Sequence, residues 1–292
     1  MSSGLTLAII GCGNMGSAIL SGILDATTSE NSQSPFSHII ASTRSKQSAE
    51  KLQARYEKHS SPINLQFIHG DNTLAAERAD VLMLGCKPYL VADVLSEPGL
   101  SDKLSGKLVV SIIAGKTPAV LADLIKGNQT KAKTTTDESV VARAIPNVAA
   151  EVRESMTVVE LPPNIQQRHI DIVDWMFSQI GQVKMLGADL FDLGSMLMAS
   201  VATVSVAVDG ILDGCVAEGM RRAEASEMTA QCLLGLAKLL KEGHHPAVLR
   251  EAISSPRGCT IQGLLAVEKA GVRSAFAESV ISGTRHLREL QK

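Results

Sequence analysis

The chain has 292 residues, enough for two ordinary domains, and its 45% hydrophobic and 20% charged residues are the balance of a folded globular protein. With 28 Lys and Arg against 30 Asp and Glu, the formal charge is −2, which gives no electrostatic case for nucleic acid or an anionic membrane. Two Tyr, five Phe and one Trp are too few for base-stacking platforms.

In chain order, Met1 to Ile10 lacks the basic stretch that opens a signal peptide and runs directly into a glycine motif, so a cytoplasmic location is expected. Leu5–Ile10, His38–Ala41, Leu65–Ile68, Val81–Gly85 and Leu108–Ile113 read as strands, with helices at Met15–Leu24, Gln47–Tyr56 and Pro118–Ile125 between them. That alternation predicts a parallel sheet covered by helices on both faces. The polar stretches Thr27–Phe36 and Lys126–Glu138 are expected to be mobile surface loops. Val140–Ile145 and Met156–Leu161 add two strand-like runs, and Pro162-Pro163-Asn164 then breaks the pattern. The boundary is placed there, between residues 1–162 and 163–292.

Everything beyond it reads as helix: Ile165–Ile180, Phe191–Gly219, Ala223–Glu242, Pro246–Ser254, Thr260–Ala270 and Val272–Gln291. Leu193–Val208 is uncharged, but it is too short to span a bilayer and contains Ser and Thr, so a buried helix is expected rather than a membrane segment. The wider helix, to about Val216, is apolar nearly all round. Such a helix is either central to its domain or covered by a second subunit, and the limited cover in this half favours a dimer interface. The five cysteines (Cys12, Cys86, Cys215, Cys232, Cys259) are scattered and form no CxxC pair, which argues for a reducing compartment and against a zinc site. His244-His245 precedes a helix-opening Pro246 and reads as a solvated loop rather than metal ligands.

The first strand leads into Gly11-Cys12-Gly13-Asn14-Met15-Gly16 and then into a helix, which is the setting that makes a GxGxxG pattern a dinucleotide site. Gly11 serves the tight turn, Gly13 admits the pyrophosphate to the backbone, and Gly16 lets helix pack on strand. The pyrophosphate would rest on helix N-terminal amides. The second strand ends at Ala41-Ser42-Thr43-Arg44-Ser45, with a cation and hydroxyls where an NAD enzyme places Asp or Glu. Arg44 can pair with a 2′-phosphate, so NADPH is the expected cofactor.

Together, Ile9 to Gly16, Gly85-Cys86-Lys87-Pro88, Ser111-Ile112-Ile113-Ala114-Gly115, Arg143-Ala144-Ile145-Pro146-Asn147 and Leu249 to Gly263 resemble the pyrroline-5-carboxylate reductase family, in the same order along nearly the whole chain. The resemblance implies an α/β Rossmann-type N-terminal domain, an all-α C-terminal dimerisation domain, and hydride transfer from NAD(P)H to a cyclic imine. Proline made from 1-pyrroline-5-carboxylate is the family's product. It also implies that Gly11, Gly13, Asn14, Met15 and Gly16 form the cofactor loop and that Ser42 and Arg44 lie at its 2′-phosphate end. Asn72, Cys86, Lys87 and Pro88 would border the ribose and nicotinamide, with Ala114 and Gly115 in the next such loop. Ser255, Gly258, Cys259 and Thr260 would hold the substrate carboxylate, with Ser255 and Thr260 the catalytic candidates. That last loop is chemically sound by itself, because amides and hydroxyls at a helix start bind carboxylates.

Three stretches depart from the family pattern: Arg257 stands where a second glycine is usual, Pro146-Asn147-Val148-Ala149 replaces Pro-Asn-Thr-Pro, and Met198–Thr203 replaces a Ser-Gly-rich segment. All three belong to the substrate end, so a different cyclic imine stays open beside proline synthesis, as does a member that binds nucleotide without turnover. No metal site and no dedicated acid–base residue is expected, since an imine nitrogen can take its proton from solvent or a nearby hydroxyl.

Overall fold

The computed structural model describes residues 4–28, 34–130 and 138–290. β1 (Leu5–Ile10) is followed by α1 (Asn14–Ala26), β2 (Phe36–Thr43), α2 (Lys46–Tyr56), β3 (Asn64–His69), α3 (Asn72–Arg78) and β4 (Val81–Leu84). Next come α4 (Val91–Leu95), α5 (Leu100–Lys103), β5 (Leu108–Ser111), α6 (Pro118–Gly127), β6 (Val140–Ile145), β7 (Ser155–Glu160), α7 (Gln167–Ser178) and β8 (Gly181–Met185). Local signals set several of these starts. Ser45 caps α2, Asp71 caps α3 by accepting from the Leu74 amide at 2.9 Å, and Thr117 caps α6 ahead of Pro118. Parts of the two expected surface loops, residues 29–33 and 131–137, lie outside the described residues, as does Gln291.

The eight strands form one sheet in the order β3-β2-β1-β4-β5-β6-β7-β8. Alternating side chains sort onto its two faces. Leu7, Ile9, Ile39 and Met83 pack with Ile19, Ile23, Met176 and Phe177 on one side, and Ala8, Ile10, Ile40 and Leu82 pack with Ala75, Leu95 and Leu121 on the other. The sheet is not wholly parallel: β7 runs antiparallel to β6. Only residues 146–154 join the two strands, too few for the crossover that a parallel pair requires.

The expectation of helix alone beyond Pro162 is also corrected, because β8 pairs with β7 in parallel as the eighth strand. Gly181 makes that approach feasible; its φ is +146°, and a Cβ there would stand 1.9 Å from the Ser155 carbonyl oxygen. Accordingly the first compact unit extends through Met198 and takes in the chain from Leu287, so the expected boundary at Pro162 falls inside it.

The second unit, Ala199–His286, is helical. α8 (Ala188–Ala217) leads into α9 (Arg222–Lys241), α10 (Pro246–Ile253), α11 (Cys259–Lys269) and α12 (Val272–Glu289). α8 has 30 residues and is long and apolar enough to cross a membrane by length and composition, so the shortness of its uncharged run does not exclude a span. Val201, Val204, Val206, Ile211 and Val216 are all exposed within the single chain, so the chain itself does not bury this helix; of the two covers expected from sequence, this exposure fits the second subunit.

Candidate active site

The loop after β1 carries the glycine motif to the carboxyl ends of β1, β2 and β4, where strand order reverses and open α/β sheets bind ligands. Gly11 has φ +81°, and a Cβ there would lie 2.7 Å from the Cys86 amide nitrogen, so the turn admits only glycine. At Gly13 the space is open, with just the Gly11 carbonyl oxygen at 4.0 Å. Gly16 is a packing position, where a Cβ would stand 3.4 Å from Ile9 Cγ2. The Ser17 amide donates to the Gly13 carbonyl at 2.8 Å, the first bond of α1, and no side chain caps this helix. The amides of Asn14, Met15 and Gly16 therefore offer an anion site reinforced by the helix dipole.

A cavity of about 500 Å³ opens over this loop, and its walls include Gly11, Gly13, Arg44, Asn72, Cys86 and Lys87. Arg44 is exposed and has no ion-pair partner among the described residues, and no carboxylate stands at the end of β2. Ser42 does not reach the cavity, which corrects its expected role at a 2′-phosphate. Its side chain is fully buried and donates to Asn72 Oδ1 at 2.8 Å, because alternation turns residue 42 into the sheet packing. Asn72 Nδ2 in turn donates to Glu97 Oε1 at 2.7 Å, so Ser42 and Glu97 fix the amide from both ends. Thr43 and Ser48 supply the hydroxyls that do line the cavity. Asn14, Met15, Gly16 and Pro88 are not among the lining residues.

Sequence reading missed Ser48, Gly70, and the wall that α4 and its two flanks form with Leu90, Asp93, Val94 and Glu97. Ser48 had a legible signal, since it bonds to the Ser45 cap at the start of α2. The α4 wall had little, because a five-residue helix shows no periodicity. Burial pushes the thiols of Cys12 and Cys86 up to about 11, so both are neutral and serve as cavity wall rather than nucleophiles.

Ala114 and Gly115 sit apart from that cavity, beside a small void of about 10 Å³ lined also by Arg143, Phe191, Asp192 and Ser195. Arg143 is 3% exposed; its Nε donates to Glu160, and Nη2 lies 3.6 Å from Asp192 Oδ1. The guanidinium lies 3.8 Å over the Phe191 ring. One buried cation thus ties β6, β7 and the start of α8 together next to the Ala114–Gly115 loop.

In the helical unit, Ser255, Gly258, Cys259 and Thr260 fall together where α10 gives way to α11. Gly258 is the N-cap of α11 and carries no side-chain cap bond. A Cβ at 258 would stand 2.4 Å from Ser255 Oγ, so only glycine lets that hydroxyl lie against the helix start. Arg257 is exposed and left-handed, with φ +60°. The glycine usual at this position in the resembling family meets that backbone without strain.

The glycine turn, the uncapped α1 and the unpaired Arg44 together fit NADPH, and they define an NADP-type oxidoreductase on a Rossmann sheet. Residues 6–115 match the family description "NADP oxidoreductase coenzyme F420-dependent", and residues 189–290 match "pyrroline-5-carboxylate reductase dimerisation". A pyrroline-5-carboxylate reductase of Lophium arboricola is 38% identical over 97% of this chain and 92% of its own length. One from Schizosaccharomyces pombe is 34% identical over 95% and 96%. The crystal structure of Plasmodium falciparum pyrroline carboxylate reductase with NADP bound superposes with a TM-score of 0.79 at 20% identity, covering 99% of each chain. The chain belongs to the pyrroline-5-carboxylate reductase family.

Proposed function

We propose that this protein reduces 1-pyrroline-5-carboxylate to proline with NADPH, acting as a homodimer or higher homo-oligomer in a reducing, cytoplasmic setting. The near-full-length likeness to pyrroline-5-carboxylate reductases carries this reading. The five free cysteines suit the compartment, and the dimerisation match together with the exposed apolar helices supports self-association.

Bound NADPH supplies the hydride, and the chain's own work is placement. Gly13 leaves room for the pyrophosphate, the amides of Asn14, Met15 and Gly16 receive its charge, and Arg44 pairs with the 2′-phosphate. Asn72, Cys86 and Lys87 shape the wall towards the ribose and nicotinamide. Ser255 and Thr260 donate to the substrate carboxylate, helped by the amides of Gly258 and Cys259. Protonation of the imine nitrogen makes its carbon a good hydride acceptor, and solvent or a nearby hydroxyl supplies that proton. Fixing the carboxylate end holds the carbon in place.

A different cyclic imine is the second reading, favoured by one observation: Arg257 adds an exposed cation within the loop assigned to the carboxylate. Loss of NADPH absorbance with 1-pyrroline-5-carboxylate and a panel of pyrroline and piperideine carboxylates decides between them. The highest kcat/KM should fall on 1-pyrroline-5-carboxylate. Thr260→Ala should raise KM for it roughly tenfold or more, from about 1.5–3 kcal/mol, with NADPH affinity unchanged. Turnover on none of the panel would leave a nucleotide-binding protein without this activity, and an unchanged KM would remove Thr260 from the site.

A further inference from the structure

Away from the cofactor cavity, the first unit holds a second cleft of about 390 Å³, whose lining includes Ser17, Ser21, Arg55, Tyr56, Glu151 and Arg153. It lies along α1, the end of α2 and the turn between β6 and β7. Much of its lining is already satisfied within the chain. Asp25 accepts from His59 Nε2 at 2.9 Å and from Arg153 Nη2, and Arg153 Nη1 also donates to the Ala150 carbonyl at 3.3 Å. Burial alone would raise the Asp25 pKa, but the His59 and Arg153 bonds outweigh it and hold the carboxyl below its ordinary range. Ser21 Oγ and Tyr56 Oη share a 2.7 Å hydrogen bond, and Tyr56 donates to the Ser17 carbonyl at 2.9 Å.

Two charges on the lining have no counter-ion among the described residues. One is the Arg55 guanidinium, 5.4 Å over the Tyr56 ring. The other is the Glu151 carboxylate, which makes neither an ion pair nor a side-chain hydrogen bond. Arg153, paired across the cleft with Asp25, holds a left-handed backbone at φ 63°, where a glycine would be unstrained. One unpaired cation and one unpaired anion line a single polar cleft, and a ligand carrying one charge of each sign would match both. A lone phosphate would answer Arg55 and be repelled by Glu151, and a lone cation would meet the reverse.

We propose that this cleft binds a small amino-acid zwitterion, its carboxylate on the Arg55 fork and its ammonium at Glu151. The site stands apart from the reduction and does not depend on which imine is reduced. Asn14, first residue of α1, also lines the cleft, so an occupant bears on the helix turn assigned to the pyrophosphate.

The test is calorimetric titration of the full-length protein with each of the twenty protein amino acids, on wild type, Arg55→Gln and Glu151→Gln. Any binder is then repeated as its N-acetyl and its carboxamide derivative, each lacking one charge. At least one amino acid should bind wild type. Loss of either partner charge, on the protein or on the ligand, should weaken it roughly tenfold or more. Both side chains are exposed, so the variants should melt with wild type and bind NADPH as wild type does when no amino acid is present. If no amino acid binds wild type, the proposal is wrong. Binding that survives both substitutions undiminished would place the amino acid elsewhere and overturn it equally.

Discussion

In the sheet unit, Leu7, Ile9, Ile19 and Phe177 are each fully buried by the chain itself, whereas in the helical unit Val206, Met228, Ile211 and Leu234 are 72%, 58%, 52% and 49% exposed. The contrast extends to charge. The sheet unit buries Arg143 with its carboxylates and a ring to meet it, while the ion pairs of the helical unit lie on open surface. One half is a finished domain; the other presents apolar faces that a single copy cannot cover. The cofactor unit thus finds its core within one chain, whereas the helical unit leaves apolar faces open, which the proposed self-association through its dimerisation-type domain would cover.

The sharpest way to break that comparison is Val206→Asp. On a face open to water it would shift stability by less than about 0.5 kcal/mol. Covered by a second copy it buries an unpaired charge, and the cost should reach about 3 kcal/mol or more. We expect a lower denaturation midpoint and a loss of assembled mass in light scattering; an unchanged protein would mean the face stays wet. Arg44→Asp probes the self-contained half. It should weaken NADPH by roughly ten- to a hundredfold, the worth of about 1.5–3 kcal/mol, and shift preference towards NADH without touching assembly. Equal titrations of wild type with the two cofactors would refute that role for Arg44.

Arg257→Gly sits in the helical half and should relieve about 1 kcal/mol of left-handed backbone strain, raising the melting temperature. The same variant reports on substrate: a tenfold gain in kcat/KM for 1-pyrroline-5-carboxylate would mark the wild type as suited to another imine, and no change would leave Arg257 without a part in the choice. The smallest effect concerns pH. Burial lowers the pKa of His169 in α7. The unfolded chain therefore binds this proton more readily, and the contribution is present above the ordinary value near 6.5 and lost as pH falls through the lowered one. Urea midpoints across that window should fall less steeply in His169→Leu than in wild type, and parallel slopes would rule His169 out.

Much of this division was legible in the sequence, and the gaps have physical causes. β1 and β6 are found at the residues expected, because strand-forming apolar runs end at a glycine and a proline. The glycine loop was readable because close approach leaves glycine no substitute at residue 11. β8 was not, since Gly181-Gln182-Val183-Lys184-Met185 is largely exposed and becomes a strand only by pairing with β7, a contact that local pattern does not carry. Of three adjacent residues offered to a 2′-phosphate, sequence could not say that Ser42 turns inward while Thr43 and Arg44 reach the cavity. For α8 an all-round apolar pattern alone reads alike whether its own chain or a second copy covers it, and only the limited helical cover in this half favoured the second copy, which the exposure of Val206 and Ile211 in the single chain fits.

Light scattering of the wild-type protein at micromolar concentration shows whether a second copy covers the helical unit. The chain mass is 30.9 kDa. A stable species at twice that mass or a higher multiple is expected, with no detectable monomer. A folded, NADPH-binding monomer of 30.9 kDa would contradict it, because the helical unit would then have to stand in water with its apolar faces uncovered.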